Sequence, residues 1–270
     1  MFEPHFDRDP DTGLWLPRAA RRQLCALLPG LGRPPLGARV RRAGGAIFKV
    51  GTTQVDTGTD AACAFSFPTL GPESANRMMV GYFSAKDNAN SFSYDTISMF
   101  GAGPDNTSAQ NQTQYYAAVM TRNLPTGTSG IATVTMDEPI AHDQAMAMAC
   151  VPAGALMTYK GGEAATATSA NSVSKNVNTN WGSPAGLNAG SIVLVSICKG
   201  QPAQGVTFTD NSGDASAWVE VEDMALPDNN SRFAAAYKVL ACSYLDFTVT
   251  ATGGGTNTDW VLAMMSFRAP

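Results

Sequence analysis

The sequence predicts an all-β protein, a jelly-roll or immunoglobulin-like β-sandwich preceded by an extended N-terminal arm with a short helix. Three observations predict it. Beyond residue 46, short apolar runs rich in Val, Ile, Phe, Tyr and Met are separated by Gly, Asn, Ser, Asp and Pro turns. That body holds no long stretch with the i, i+3, i+4 spacing of an amphipathic helix. Charged residues make up only 15% of the 270 residues, below the roughly 25% of an average soluble domain. Gly, Ala, Ser, Thr and Asn fill the difference, giving a polar but weakly charged surface.

The chain begins with a segment of a different texture. Residues 1–45 carry eight Arg, no Lys and four acids, a net of +4, while residues 46–270 carry ten bases and eighteen acids, a net of −8. The boundary sets an arm, 1–45, apart from a body, 46–270. "DRDPDTG" (7–13) spaces Asp7, Asp9 and Asp11 like a calcium loop. Thr12 precedes Gly13 and Arg18 stands where the bidentate acid belongs, so a turn is the better reading. "LPRAARRQLCALL" predicts about three helical turns from Pro17, since proline is tolerated at a helix start. Leu24, Leu27 and Leu28 then share a face. Gly30 and "GRPP" end the helix, and Gly44-Gly45 form a hinge.

The arm reads best as a docking peptide. Leu14, Trp15 and Leu16 are its apolar anchors, with Leu24, Leu27 and Leu28 behind them. Arg18, Arg21, Arg22, Arg33, Arg39, Arg41 and Arg42 are placed to meet an acidic surface or carbonyls. Genome contact and a membrane-surface helix are the weaker readings. The acidic body lacks the basic face that phosphates need, and prolines interrupt any long amphipathic helix.

Strands are expected in order at 62–67, 78–84, 92–100, 114–121, 130–136 and 144–151, then at 191–198, 205–210, 217–222, 232–240, 246–252 and 259–267. "DFTVTAT" alternates, with Phe247 and Val249 opposite in direction to Thr248 and Thr250. "SIVLVSIC" is continuously apolar and predicts a strand buried on both faces. The two series echo each other: residues 78–157 and 191–270 form a pseudo-repeat. The expected arrangement is one sandwich of two interleaved Greek keys, with 158–190 as connection. Two tandem small domains are the alternative.

Little in the chain points to catalysis. His5 and His142 stand apart from other ligands, and no "GxSxG", "GxxxxGK[ST]" or "GxGxxG" occurs in a working context. The acids of "DEP" (137–139) and "EVED" (220–223) are candidates for a hydrolytic pair, though acids at strand ends are commonly structural. No catalytic, cofactor-binding or metal-binding residue is assigned, and no cofactor is expected. Cys25, Cys63, Cys150, Cys198 and Cys242 form no CxxC and sit mostly in apolar runs, which reads as buried thiols of a protein folded in a reducing cytoplasm. No apolar run reaches membrane-span length, and the acidic start argues against a secretory signal. Polar loops bearing Tyr115, Tyr116, Trp181 and Trp218 beside Asn and Asp are candidate glycan contacts, the competing reading being core aromatics.

"RMMVGYFS", "NLPTGTSGIATVTM", "AMAMACVPAG" and "WVLAMMSFRAP" are strand and turn grammar spread over roughly residues 60–270. Through them the body resembles virion structural proteins of tailed bacteriophages and gene transfer agents: head spikes, vertex or decoration proteins, and tail-fibre bases. The resemblance implies a non-enzymatic homo-oligomer, assembled in the bacterial cytoplasm. Its arm would be locked into the major capsid protein or a sister subunit, with its sandwich on the particle exterior. The alternative is a glycan-binding attachment module of a tail fibre or a cell-surface adhesin. Nucleic acid is not an expected partner.

Overall fold

A computed structural model describes residues 46–58, 60–87, 93–137, 143–177, 186–214, 216–227, 230–245, 247–253 and 258–270, and the backbone of 6–8 and 15–17. In the arm, β1 (Phe6–Arg8) pairs antiparallel with β2 (Trp15–Pro17), Asp7 opposite Leu16. The helix expected from Pro17 and the arginines from Arg18 onward lie outside the described residues.

The body is all-β and antiparallel. Its first set of strands comprises β3 (Phe48–Lys49), β4 (Gln54–Asp56), β5 (Ala62–Phe67), β6 (Met78–Lys86), β7 (Tyr94–Met99), β8 (Asn106–Gln112), β9 (Tyr115–Asn123), β10 (Gly130–Met136) and β11 (Gln144–Val151). The second comprises β12 (Thr158–Ala170), β13 (Ser172–Val177), β14 (Ile192–Gly200), β15 (Val206–Asp210), β16 (Val219–Ala225), β17 (Ser231–Val239), β18 (Phe247–Gly253) and β19 (Thr258–Arg268).

Each set builds two sheets in the same order. The first gives β3-β11-β6-β9-β8, with β4 also on β11, and β5-β10-β7; the second gives β12-β19-β14-β17-β16 and β13-β18-β15. Residue pairing repeats too. Met78 lies opposite Asn123 and Lys86 opposite Tyr115, as Ile192 lies opposite Val239 and Gly200 opposite Ser231. Lys86 is therefore the structural counterpart of Gly200, and Tyr115 that of Ser231.

The sets do not interleave. Each keeps its own sandwich, and the two larger sheets stack on each other, so four layers replace the single sandwich expected. Residues 158–177 are strands β12 and β13 of the second set rather than a connection.

Burial follows from the layering. β6, β11 and β14 are buried along their whole length because both faces are covered. On β11, Met146, Met148 and Cys150 face the first sandwich's own core with Phe65 and Phe83. Ala145, Ala147 and Ala149 face the central core, shared with Ala235, Ala263 and Met265 of the second sandwich. Small residues on that face let the sheets approach, and Ser196 Oγ donates across to the Phe83 carbonyl at 3.1 Å. The outer strands alternate instead: on β18, Phe247 and Val249 are buried while Thr248 and Thr250 are half-exposed. Such alternation marks a sheet with one face in solvent.

Candidate functional site

A cavity of about 500 Å³ opens where one end of β6 and β9 meets β14 and β19. Lys86 and Tyr115 come from the first sandwich; Ser169, Gly200, Gln201, Asn230, Thr258 and Asp259 are among those from the second. Where the first set carries Lys86, the second carries Gly200, and Thr258 and Tyr115 pack against that glycine. A Cβ at Gly200 would fall 2.5 Å from Thr258 Oγ1 and 2.9 Å from Tyr115 Oη.

The walls are polar. Lys86 Nζ stands 6.0 Å from the centroid of the Tyr115 ring, within reach of its negative face. Asp259 Oδ1 accepts the Ser169 backbone N–H at 3.1 Å. Ser169 (φ 50°) and Gln201 (φ 59°) both adopt the left-handed backbone region that non-glycine residues avoid.

Next to Gly200, Lys199 points into the second sandwich. Its Nζ lies 5.1 Å from the Trp260 ring centroid and has no hydrogen-bond partner among the described residues. Burial, with the nearby Arg232 charge, lowers its pKa from the usual lysine value.

A second polar cluster orders the loop after β15. Asp210 Oδ2 accepts from Lys238 Nζ at 2.7 Å and Trp218 Nε1 at 2.9 Å, while Oδ1 accepts from Ser212. Asp214 Oδ1 accepts the Ser216 N–H at 2.7 Å, and Oδ2 accepts from Ala241 N, Cys242 N and Tyr244 Oη. Burial alone would raise both acids; these hydrogen bonds outweigh it and hold both below the usual aspartate range.

The four aromatics proposed for glycan contact separate. Tyr115 lines the cavity. Tyr116 is the correction: it is only 2% exposed and sits edge-to-face with Phe83 and Tyr94 in the first core. Adjacent residues on a strand face opposite sides, so a cavity at Tyr115 places Tyr116 inside. Trp218 also departs from a surface role. Its indole N–H is committed to Asp210 and its ring packs against Phe208 and Phe247. Trp181 lies outside the described residues, as do Leu14, Arg18, Arg21, Arg22, Leu24, Leu27, Leu28, Arg33, Arg39, Arg41 and Arg42; Trp15 and Leu16 belong to β2 by backbone.

Three of the acids weighed for hydrolysis are engaged structurally, while Glu220 is exposed and Glu138 lies outside the described residues. Asp137 accepts from Ser93 N and Oγ, Glu222 binds Lys49 and Thr53, and Asp223 binds Arg232 and the Val206 N–H. Among the described residues no group of three or more His, Cys, Asp or Glu is placed to hold a metal ion, and no helix is long and apolar enough to cross a membrane. Cys63, Cys150 and Cys198 are buried free thiols, Cys63 pushed up to about 12 by burial and by Asp56. Cys242 departs from the expectation of buried thiols: it is disulfide-bonded.

Gly200, Gln201 and Asp259 carry no local functional signal, since "KGQP" has the composition of an ordinary turn after a strand. Aligning the halves strand by strand was the available signal, because it sets Gly200 against Lys86. No protein-family model, curated protein or solved structure matches this chain.

Proposed function

We propose that the protein is a non-enzymatic structural component of a phage-like particle, held by its basic arm and displaying its body on the surface. Counting β3 and β4, which both pair with β11, as one strand, each set has eight in the order 1-8-3-6-5 over 2-7-4. We read both sandwiches as jelly rolls, a plan of eight strands in two Greek keys, with the fifth strand placed beside the sixth.

The observation that carries the reading is the division of labour along the chain. Two of the three carboxylates of "EVED" are engaged in ion pairs that hold the sandwiches, Glu222 with Lys49 across the two sets and Asp223 with Arg232. What remains is a rigid four-layer block with polar outer faces, preceded by a segment of opposite net charge. Such a segment suits a preformed acidic groove on a capsid or sister subunit, where binding must offset the entropy of ordering it.

Deleting residues 1–42 tests it. The truncated body is expected to keep its β circular-dichroism spectrum and cooperative melting, yet to stop co-sedimenting with particles assembled in the cell that makes the chain. Undiminished co-sedimentation of the truncation overturns the anchoring role.

A further inference from the structure

We propose that the cavity between the two sandwiches is a binding site for a neutral sugar of one or two residues. This does not depend on where the chain is anchored. The first support is construction. The cavity lies where the ends of β6 and β9 meet those of β14 and β19, with Lys86 and its counterpart Gly200 both in its lining. Restoring even one carbon at Gly200 would press on Thr258 and Tyr115. About 500 Å³ falls in the range of small-molecule sites.

The second support is chemistry. The lining offers a carboxylate from Asp259, amides from Gln201 and Asn230, a hydroxyl from Thr258 and an aromatic ring from Tyr115. Asp259 spends Oδ1 on the Ser169 N–H, and Oδ2 takes no hydrogen bond among the described residues. A carboxylate oxygen accepts from sugar hydroxyls and an amide in the same lining donates to them, and an aromatic ring packs against the C–H face of a sugar. Charge selects against an anion: the Lys86 ammonium is balanced within the lining by Asp259, which would repel a phosphate or sulfate.

The third support is backbone strain. Gln201 and Ser169, on the cavity wall, both hold positive φ. Conformations of this kind collect at ligand clamps.

The test is saturation-transfer NMR on the full chain with the methyl glycosides of glucose, galactose, mannose and N-acetylglucosamine, and with inorganic phosphate monitored by ³¹P line width. At least one glycoside is expected to bind, with Kd on the order of 1 mM, a free energy near −4 kcal/mol. Its affinity should fall tenfold or more in Asp259→Asn and in Gln201→Gly, while both variants melt within a few degrees of wild type. Gln201→Gly removes the amide and relieves the strained φ, so folding is not at risk. No transfer from any glycoside at tens of millimolar, transfer unchanged in both variants, or phosphate bound in preference to every glycoside would each overturn the assignment.

Discussion

The same loop occurs twice in this protein, centred on a buried cation in one copy and on a carboxylate in the other. Arg77 precedes β6 as Ser191 precedes β14, and the counterpart bonds Leu124 N to Arg77 O and Leu240 N to Ser191 O are both present, at 2.9 and 2.8 Å. In the first sandwich the fully buried Arg77 gathers the loop through its carbonyls. Nε donates to Leu124 O at 2.7 Å, and Nη2 to Thr126 O and Gly127 O at 2.9 and 2.7 Å; Nη1 reaches Gly71 O and Pro72 O. In the second, Ser191 is too short for that task. The loop is held instead by its N–H groups, Ala241 and Cys242 donating to Asp214. The fold requires that this loop's backbone polar groups be satisfied when it closes over the core. It does not specify whether a guanidinium or a carboxylate satisfies them.

Three perturbations would break or sharpen that comparison. The largest effect is expected at Arg77. Arg77→Met leaves buried carbonyls without donors and should cost about 3 kcal/mol or more, at about 1–3 kcal/mol for each unsatisfied group; urea unfolding measures it. Arg77→Lys should recover little, because a single ammonium cannot serve carbonyls on two segments as a planar fork does. A loss under 1 kcal/mol for Arg77→Met would refute the clamp.

The second perturbation is pH, and it should act on the second sandwich first. Asp210 and Asp214 have folded pKa values below the ordinary aspartate value of 3.8. Their ionised forms stabilise the fold, so this contribution is complete above about pH 4–5. It is lost as pH falls through the lower folded values, where protonation removes the acceptors. Acid titration followed by hydrogen exchange should show the 210–218 and 241–245 backbones opening before the Arg77-held loop, where Glu73 accepts the Gly127 N–H but the Arg77 guanidinium still holds three carbonyls. Simultaneous opening of both loops would contradict it. Replacing both aspartates with Asn should flatten the acid limb.

The smallest effect is expected at Lys199, whose counterpart in the first sandwich is Ala85. A buried ammonium without a hydrogen-bond partner costs about 1–3 kcal/mol or more, and the Trp260 ring returns part of that. Lys199→Met should therefore raise stability by about 1 kcal/mol in thermal or chemical unfolding. A loss of stability would show that the charge is supported by contacts beyond the ring.

Legibility varied by strand type. Expected spans at 62–67, 130–136 and 144–151 coincide with β5, β10 and β11, because each is a clear alternating or continuous apolar run. β8, "NTSAQNQ", was read as a polar loop. It lies at the edge of its sheet, paired on one side with β9, and needs few apolar side chains. β12, "TYKGGEAATATSA", was hidden by its Gly-Gly pair and alanines. Gly162 is required there by a tertiary contact, since a Cβ would fall 2.7 Å from Ser108 Cβ in the other sandwich. The candidate cavity was legible only in Tyr115, because its other walls come together across the stack.

Local periodicity by itself determined that this protein is all-β, where most strands run, and that they repeat. A strand's own side chains record whether one face or both are buried, and that record survives in the one-dimensional pattern. Only the tertiary structure decided how the repeats combine. Ala145, Ala147 and Ala149 fit a single sandwich's core as well as a sheet-to-sheet seam, and nothing local distinguishes the two. Stacking chose the seam, and with it the close packing at Gly200, the inward turn of Tyr116, and the outward turn of Tyr115 into a shared cavity.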